Sequence, residues 1–144
     1  MMTAIGSALR DHFRTRDHVR SAYLFGSHAR GRAHRESDVD VAVLLDVVRF
    51  PTRERRSAAA ERLNAEIIHT VGNNRVDVVV LNDVNPELGA AIVTDGVCVH
   101  CVDADADRAM RRRILLRHAD LQPFLRRTRR LKLDAIAAAE AERP

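Results

Sequence analysis

Two short apolar runs constrain the fold of this chain more than any other feature of its sequence. Residues 38–45 read Asp-Val-Asp-Val-Ala-Val-Leu-Leu, and residues 76–81 read Val-Asp-Val-Val-Val-Leu. Short, nearly continuous runs of β-branched and aliphatic residues are typical of strands buried in a sheet. A helical pattern separates them over residues 52–71, with an apolar stripe from Ala59 to Val71. The sequence therefore predicts helices packed against a sheet.

The remaining periodic segments complete a fold of the α/β (α+β) class, a small mixed β-sheet flanked by helices. Their predicted bounds are a helix at 3–17, a strand at 21–25, a helix at 86–94, a strand at 97–102 and a helical segment at 103–142. Pro123 is expected to kink or split the last segment. Because neither a linker nor an internal repeat is evident, we expect a single domain over residues 1–144. Its core would lie at about 1–102 and its C-terminal helical segment at about 103–142.

Composition excludes several classes of protein. Hydrophobic residues make up 46% and charged residues 31%, which is typical of a folded globular chain rather than a disordered one. The absence of Trp and the single Tyr23 argue against a surface that stacks bases on aromatic rings. Two cysteines, Cys98 and Cys101, give no disulfide framework. No apolar run suits a signal peptide or a membrane span, so we expect a cytoplasmic protein that does not bind membranes.

Three aspartates are the strongest candidates for chemistry. Side chains alternate along a strand, so Asp38 and Asp40 share one face, with their Cβ atoms about 6–7 Å apart. Carboxylates at that spacing can bridge two metal ions, which in two-metal sites lie about 3.5–4 Å apart. If the strand at 76–81 lies beside the strand at 38–45, Asp77 completes a cluster of three acids. Their mutual repulsion calls for divalent cations, and hard oxygen ligands favour Mg²⁺.

The segment before these aspartates has the features of a phosphate-binding turn. A strand ends at Gly26-Ser27. Glycine allows the backbone to approach a phosphate closely, and a helical turn starting at Ser27 would present free N–H groups to an anion. Arg30 and Arg32 follow and can meet the charge of a terminal phosphate. A triphosphate on one side and carboxylates on the other is the arrangement needed for phosphoryl or nucleotidyl transfer.

Each of these residues also has a purely structural interpretation. Asp38 and Asp40 would then be surface residues at the start of a strand, and Gly26-Ser27 an ordinary turn. Asp77 would pair with Arg75 on the surface.

The segment FGSHARGRAHRESDVDVAVLL, residues 25–45, resembles the signature of the polymerase-beta-type nucleotidyltransferase superfamily. The resemblance covers residues 20–82. The size of the chain is similar to that of the minimal, MNT-type members, which are the antitoxin half of HEPN–MNT toxin–antitoxin pairs. For such a protein the resemblance implies a nucleotidyltransferase fold, ATP as substrate with two Mg²⁺ ions, and transfer of AMP to a tyrosine of a HEPN toxin, which silences the RNase activity of the toxin.

Carried over residue by residue, the resemblance implies that Gly26 and Ser27 hold the triphosphate. Asp38 and Asp40 would bind both metals, and Asp77 would complete the metal site and help to deprotonate the acceptor hydroxyl. The Arg30-Gly31 pair matches the Arg-Gly that usually follows the turn. His28 occupies a position that varies among relatives, so no role is assigned to it.

Three other features are weaker candidates. Cys98-Val99-His100-Cys101 has too few ligands for a structural zinc site, and strand alternation predicts two buried thiols on opposite faces. The pair Arg113 and His118 has the loose spacing of a HEPN ribonuclease signature, but an Arg-rich helix produces that spacing by chance. Residues 108–132 carry nine Arg, Lys132 and one acid, Asp120. That segment is a solvated helix face, a docking surface for an acidic partner, or a nucleic-acid contact.

Two other functions remain open beside adenylylation of a toxin. The chain could modify a small molecule, as aminoglycoside nucleotidyltransferases do, although it has no second domain to form an acceptor pocket. It could also be a non-catalytic antitoxin that neutralises its partner by binding. Three mutually repelling acids argue against that reading, because binding alone gives no reason to keep them together.

Overall fold

The computed structural model describes residues 2–31, 37–72 and 75–143. Nine elements follow one another in the order α1 (Ala4–Phe13), β1 (Val19–Phe25), a 3₁₀ turn (Gly26–His28), β2 (Val39–Leu45), α2 (Arg53–Val71), β3 (Val76–Val80), α3 (Pro86–Asp95), β4 (Val97–Cys101) and α4 (Ala104–Ala141).

The four strands form one mixed sheet in the order β3-β2-β1-β4. β1 pairs antiparallel with both β2 and β4, whereas β2 and β3 run parallel because α2 connects them as a crossover. The predicted class, a small mixed β-sheet flanked by helices, is confirmed. The crossover places the start of β3 beside the start of β2.

Helices cover both faces of the sheet, which is why the strands carry few polar residues. On one face the side chains of Val39, Val41 and Val43 pack against α1 and α2. On the other face Ala42 and Leu44 pack against α3 and α4. The alternation along β2 therefore divides the core in two, and the aspartate face of the strand belongs to the side covered by α3 and α4.

The first helix and the first strand differ from their predicted bounds. The apolar spacing predicted a helix to residue 17, but α1 ends at Phe13, and turns closed by the N–H groups of Arg16 and Val19 follow it. β1 begins two residues before the predicted start, because Val19 is fully buried and pairs with Leu45. Pairing with β2 extends β1 at its start, and the periodicity of one segment gives no information about pairing with another strand.

The predicted split at Pro123 is wrong, because α4 runs from Ala104 to Ala141 as one helix that contains the proline, whereas the alternative, a kink at Pro123, stays a prediction. Proline removes one backbone hydrogen bond of the helix, and the long runs of good helix formers on either side keep the two parts continuous. The helix starts at Asp103, whose side chain accepts a hydrogen bond from the N–H of Ala106.

A buried polar contact fixes the first turns of α4 on the sheet. The Tyr23 hydroxyl of β1 donates to the Asp107 carboxylate, at 2.7 and 2.9 Å from its two oxygens, and accepts from Arg111 at 3.2 Å. Met110 and Ile114 are buried in the same turns of α4. Within the described ranges, no helix has both the length and the apolar character needed to cross a membrane.

Candidate active site

The predicted phosphate-binding turn lies directly at the end of β1. Gly26 adopts a φ of 73°, which turns the chain out of the sheet, and a 3₁₀ turn covers Gly26–His28. The N–H groups of Ala29 and Arg30 both bond to the Gly26 carbonyl at 3.2 Å. Ser27 is half-buried in this turn, and Arg30 is exposed beside it. The turn therefore lies where the sequence predicted it, at the C-terminal end of β1.

Gly26 lies against one of the predicted carboxylates. β1 and β2 pair so that Phe25 is opposite Asp40, and a Cβ atom added to Gly26 would collide with the Asp40 carboxylate. The positive φ gives a second reason for glycine at this position. The structure thus brings the turn and the aspartate into van der Waals contact through the backbone of residue 26.

The parallel register brings the second carboxylate beside the first. In the pairing of β2 with β3, Asp40 is the direct partner of Asp77. Neighbouring strands lie about 4.8 Å apart, and directly paired residues point to the same face. Asp38 precedes β2 by one residue and is exposed, as is Asp77, whereas Asp40 is half-buried. A hydrogen bond of 2.7 Å from the Val39 N–H to the Arg75 carbonyl continues the pairing at this end of the sheet.

One carboxylate at this end of the sheet has a perturbed pKa. The pKa of Asp40 is raised above its usual value, first by burial and then by the negative charges of Asp77 and Asp38, while His28 acts in the opposite direction. A carboxylate whose ionised form is disfavoured by two others lies in a field that attracts cations.

The donor set at this edge fits a divalent cation. Three carboxylates supply hard oxygen ligands, and after burial the charges of Asp77 and Asp38 contribute to the raised pKa of Asp40. In the described residues, no three His, Cys, Asp or Glu side chains already converge as closely as a metal site requires. The acids are therefore placed near one another by the strand register rather than drawn together by contacts among themselves.

His28 belongs to the site, although the sequence assigned it no role. Its Nε2 atom lies 3.4 Å from the carbonyl of Ser37, so the ring connects the turn to the segment that leads into β2. It is also close enough to Asp40 to oppose the rise in the pKa of that group. Its position directly after Gly26-Ser27 was the available signal.

Two cavities flank the Arg30 end of the turn. One of about 210 Å³ lies between the turn and α3, with Phe25, Leu88 and Ile92 in its wall. The other, of about 310 Å³, lies toward α1 and β4. Arg32, the second cation expected to meet a phosphate, lies outside the described residues.

The two cysteines are placed differently from the prediction. A bulge in the pairing of β1 with β4 leaves Val99 without a partner, with Tyr23 opposite Cys98 and Ala22 opposite His100. Strict alternation therefore fails here. Both thiols are exposed rather than buried, and burial of their immediate surroundings still raises the pKa of each. His100 instead stacks on Phe13, with ring centroids 5.7 Å apart.

Comparisons with known proteins agree with this geometry. The family described as polymerase beta, nucleotidyltransferase, matches residues 7–105. A search of curated proteins gave no match.

Three solved structures share the fold. A toxin–antitoxin crystallised with AMP-PNP is 24% identical with a TM-score of 0.59, and the alignment covers 90% of this chain and 98% of that one. The toxin–antitoxin MntA–HepT is 18% identical with a TM-score of 0.56, over 92% and 97% of the two chains. A complex of a tri-AMPylated HEPN toxin with its MNT antitoxin, from Shewanella oneidensis, is 20% identical with a TM-score of 0.55, over 95% and 99%.

Proposed function

Because this chain belongs to the polymerase beta nucleotidyltransferase family, we propose that it is a Mg²⁺-dependent protein adenylyltransferase antitoxin. It transfers AMP from ATP to a tyrosine of a partner HEPN ribonuclease toxin and thereby neutralises the toxin. The whole of residues 1–144 acts as one domain, with a core at about 1–102 and a C-terminal helical segment at about 103–142, in the cytoplasm where ATP is available.

One observation carries the proposal. Asp40 lies opposite Asp77 in the parallel pair of strands, and the backbone of Gly26 lies against the Asp40 carboxylate. The acidic groups and the proposed phosphate-binding turn thus lie at the same end of the strands. A nucleotidyltransferase needs this juxtaposition, because its reacting phosphate must contact both sets of groups.

In the proposed complex with ATP, the turn holds the triphosphate. Backbone N–H groups after Gly26 and the Ser27 hydroxyl donate to its oxygens, and Arg30 neutralises terminal phosphate charge. Asp38, Asp40 and Asp77 would hold Mg²⁺, which polarises the α-phosphate and lowers the pKa of the acceptor hydroxyl. The positive φ of Gly26 keeps the turn close enough to the acids for one substrate to reach both.

The reaction is an in-line displacement at the α-phosphorus. The acceptor oxygen forms a bond to that phosphorus while the bond to the β-phosphate oxygen breaks, and pyrophosphate leaves. Asp77 is exposed at the edge of the sheet and accepts the proton of the acceptor hydroxyl. Arg30 and the N–H groups of the turn stabilise the charge on the departing pyrophosphate.

Solved structures that share this fold support a protein as the acceptor. The structures sharing this fold include a complex of an MNT antitoxin with a tri-AMPylated HEPN toxin and a toxin–antitoxin with AMP-PNP. Residues 2–31, 37–72 and 75–143 build one α/β unit around one sheet and no second unit that could enclose a small acceptor, so an acceptor delivered by another protein suits this site better.

The test is to mix the purified chain with ATP, Mg²⁺ and the protein encoded by the adjacent gene, which the proposal expects to be of the HEPN type. Mass spectrometry then locates any added AMP. We expect AMP on a tyrosine of the partner, loss of partner RNase activity in step with modification, and neither change with Asp38→Asn.

Two outcomes would contradict the proposal. If AMP appears on aminoglycosides in the absence of any partner, the chain modifies small molecules. If Asp38→Asn neutralises the partner as well as the wild type does, binding rather than catalysis is the mechanism.

A further inference from the structure

The last helix of the chain is far longer than its packing requires. α4 has 38 residues, yet its buried residues are Asp107, Met110 and Ile114, all in its first three turns. The distal helix, residues 115–141, spans about 40 Å at 1.5 Å per residue and has no buried residue. Its ion pair with the rest of the described chain is an exposed contact of 3.2 Å between Arg129 and Glu87.

The distal helix also carries large apolar side chains in water. Phe124 is 64% exposed and Leu131 is 62% exposed. Other exposed apolar residues of the segment are Leu115, Leu116, Leu121, Leu133 and Ile136. This many exposed apolar side chains on a segment that buries none of its residues mark an interaction site.

The spacing of these residues indicates the shape of what binds them. Leu121, Phe124, Thr128 and Leu131 are separated by three, four and three residues, and Ala135 and Ala138 continue the alternation. This is the repeat of a helix that packs lengthwise against another helix. The seam lies on one side of the distal helix, so a second helix can lie along it over several turns.

Charge decides between a second copy and another protein. From Arg117 to Leu133 the helix carries five Arg and one Lys against one acid, Asp120. Of these cations, Arg126, Arg127 and Arg130 form no ion pair within the described ranges. Of these three, Arg127 borders the seam, and two copies packed in antiparallel fashion about Thr128 would place it against its own counterpart, where like charges are destabilising. A helix with acidic flanks is the complementary occupant.

We propose that the distal helix anchors the HEPN partner by packing along an acidic, amphipathic helix of that protein. The inference rests on the proposed function for the identity of the partner. It adds that binding and chemistry use separate surfaces of this chain. The anchor is the seam at Leu121, Phe124 and Leu131 with Arg127 beside it, and the other arginines of the distal helix add to the charge that attracts the partner.

The start of α4 lies far from the carboxylates, which is why the two surfaces are separable. A cavity of about 310 Å³ brings Arg113 of α4 together with Asp46, Asn82 and Arg20. These last three residues follow β2, follow β3 and begin β1, at the end of the sheet away from Asp40. The first turns of α4 therefore cross the sheet at its other end.

The experiment measures the Kd of the full chain for the purified adjacent-gene HEPN protein. One variant carries Phe124→Asp with Leu131→Asp. A second carries Arg126→Glu, Arg127→Glu and Arg130→Glu, and its counterpart has Lys at the same three positions. The control reverses Arg55 and Arg62, two exposed arginines of α2, to Glu.

We expect each distal-helix variant to raise the Kd at least about tenfold, the Glu variant chiefly through slower association at low salt. The Lys variant and the α2 control should bind within about twofold of the wild type. We also expect MgATP to raise the melting temperature of each variant as much as that of the wild type, because the proposed nucleotide site is unchanged.

Several results would overturn the inference. One is unchanged affinity for the partner in both distal-helix variants. Another is that this chain forms a homodimer which the variants dissociate. A third is that the variants lose an affinity for RNA and keep their affinity for the partner. Failure of the proposed function looks different: the wild type would form the complex through the distal helix and transfer no AMP. If the distal-helix variants transfer AMP as fast as the wild type at limiting partner concentration, the proposed anchor is contradicted and the proposed function is not.

Discussion

Two regions of the molecule expose candidate functional groups in opposite ways: the end of the sheet that carries Asp40 and Asp77, and the distal helix, residues 115–141. At the sheet edge Asp40 is half-buried, paired with Asp77 in the strand register and in contact with the backbone of Gly26. In the distal helix Phe124 and Leu131 stand in solvent, held by the helix alone. In the first region contacts between strands fix the position of the carboxylates, whereas in the second the helix alone presents an apolar area to solvent.

This difference predicts how each region tolerates substitution. Where tertiary contacts fix a group, a change of one atom alters both stability and chemistry. Where only the helix holds it, the same change alters binding and little else. The four predictions below test that contrast from the largest expected effect to the smallest.

Asp40→Asn should lower AMP transfer by about two to three orders of magnitude, since it removes a charge that stabilises the transition state by several kcal/mol. At pH 7 it should also raise the free energy of unfolding. The pKa of Asp40 is raised in the folded chain, so its ionised form destabilises the fold, and the variant's advantage should vanish as the pH falls through that raised pKa. Rates from mass spectrometry and denaturant unfolding at several pH values measure both effects.

The control is Asp17→Asn, an exposed acid far from the carboxylate edge in the sequence. It should change neither transfer nor unfolding. A wild-type rate in Asp40→Asn would remove the carboxylates from the mechanism.

Gly26→Ala should unfold more easily and lose most of its AMP transfer. A φ of 73° costs an L-residue about 1–2 kcal/mol, and the added Cβ also collides with the Asp40 carboxylate. Gly72→Ala is the matched control, because Gly72 has a φ of 66° and no atom within 4 Å of the added Cβ. Denaturant unfolding gives the stability loss of each variant, and the excess at residue 26 reports the contact with Asp40.

If Gly26→Ala and Gly72→Ala lose the same free energy and Gly26→Ala stays active, then Gly26 is not held against the carboxylate.

Tyr23→Phe should destabilise the chain by about 1–3 kcal/mol, because it removes the hydroxyl that donates to the buried Asp107 carboxylate. The contact joins β1 to the first turns of α4, so the loss should appear in thermal unfolding and not in affinity for MgATP. A double-mutant cycle with Asp107→Asn isolates the pair: the combined loss should be smaller than the sum of the single losses. Additive losses would mean that the two groups do not interact.

Phe124→Ala should change the free energy of unfolding of the isolated chain by less than about 0.5 kcal/mol, since the side chain is 64% exposed. Chemical denaturation measures it, with Ile114→Ala as the contrasting substitution in the same helix. Ile114 is buried against α3 and should cost about 2–5 kcal/mol. A large loss at Phe124 would show that the distal helix packs on its own chain.

The sequence was most informative where local pattern and chemistry coincide. Asp38, Asp40 and Asp77 could be placed on one face because strand alternation is a property of the backbone, and the register confirms Asp40 beside Asp77. Their roles in metal binding and catalysis stay predictions. The assignment of Gly26 to the turn is similar, since only glycine adopts its φ without strain.

The parts that could not be predicted depend on contacts between distant segments. The bulge at Val99 arises from pairing with β1 and exposes Cys98 and Cys101, which alternation alone had buried on opposite faces. Alternation within one strand gives no sign of a bulge, because the extra residue is defined by the partner strand. The role of His28 likewise depends on its contact with Ser37, nine residues further along.

The parallel pairing of β2 with β3 also has a consequence for the order of folding. Phe25 and Asp40 are 15 residues apart in the sequence, whereas Asp40 and Asp77 are 37 apart, with all of α2 between them. Closing the longer loop costs more entropy, so the antiparallel pair of β1 and β2 should assemble first and β3 should dock later. The two like charges then meet only after the apolar contacts that outweigh their repulsion have formed. A chain that is incomplete or unfolded at β3 therefore lacks the pairing of Asp40 with Asp77, and we expect it to lack the proposed activity as well.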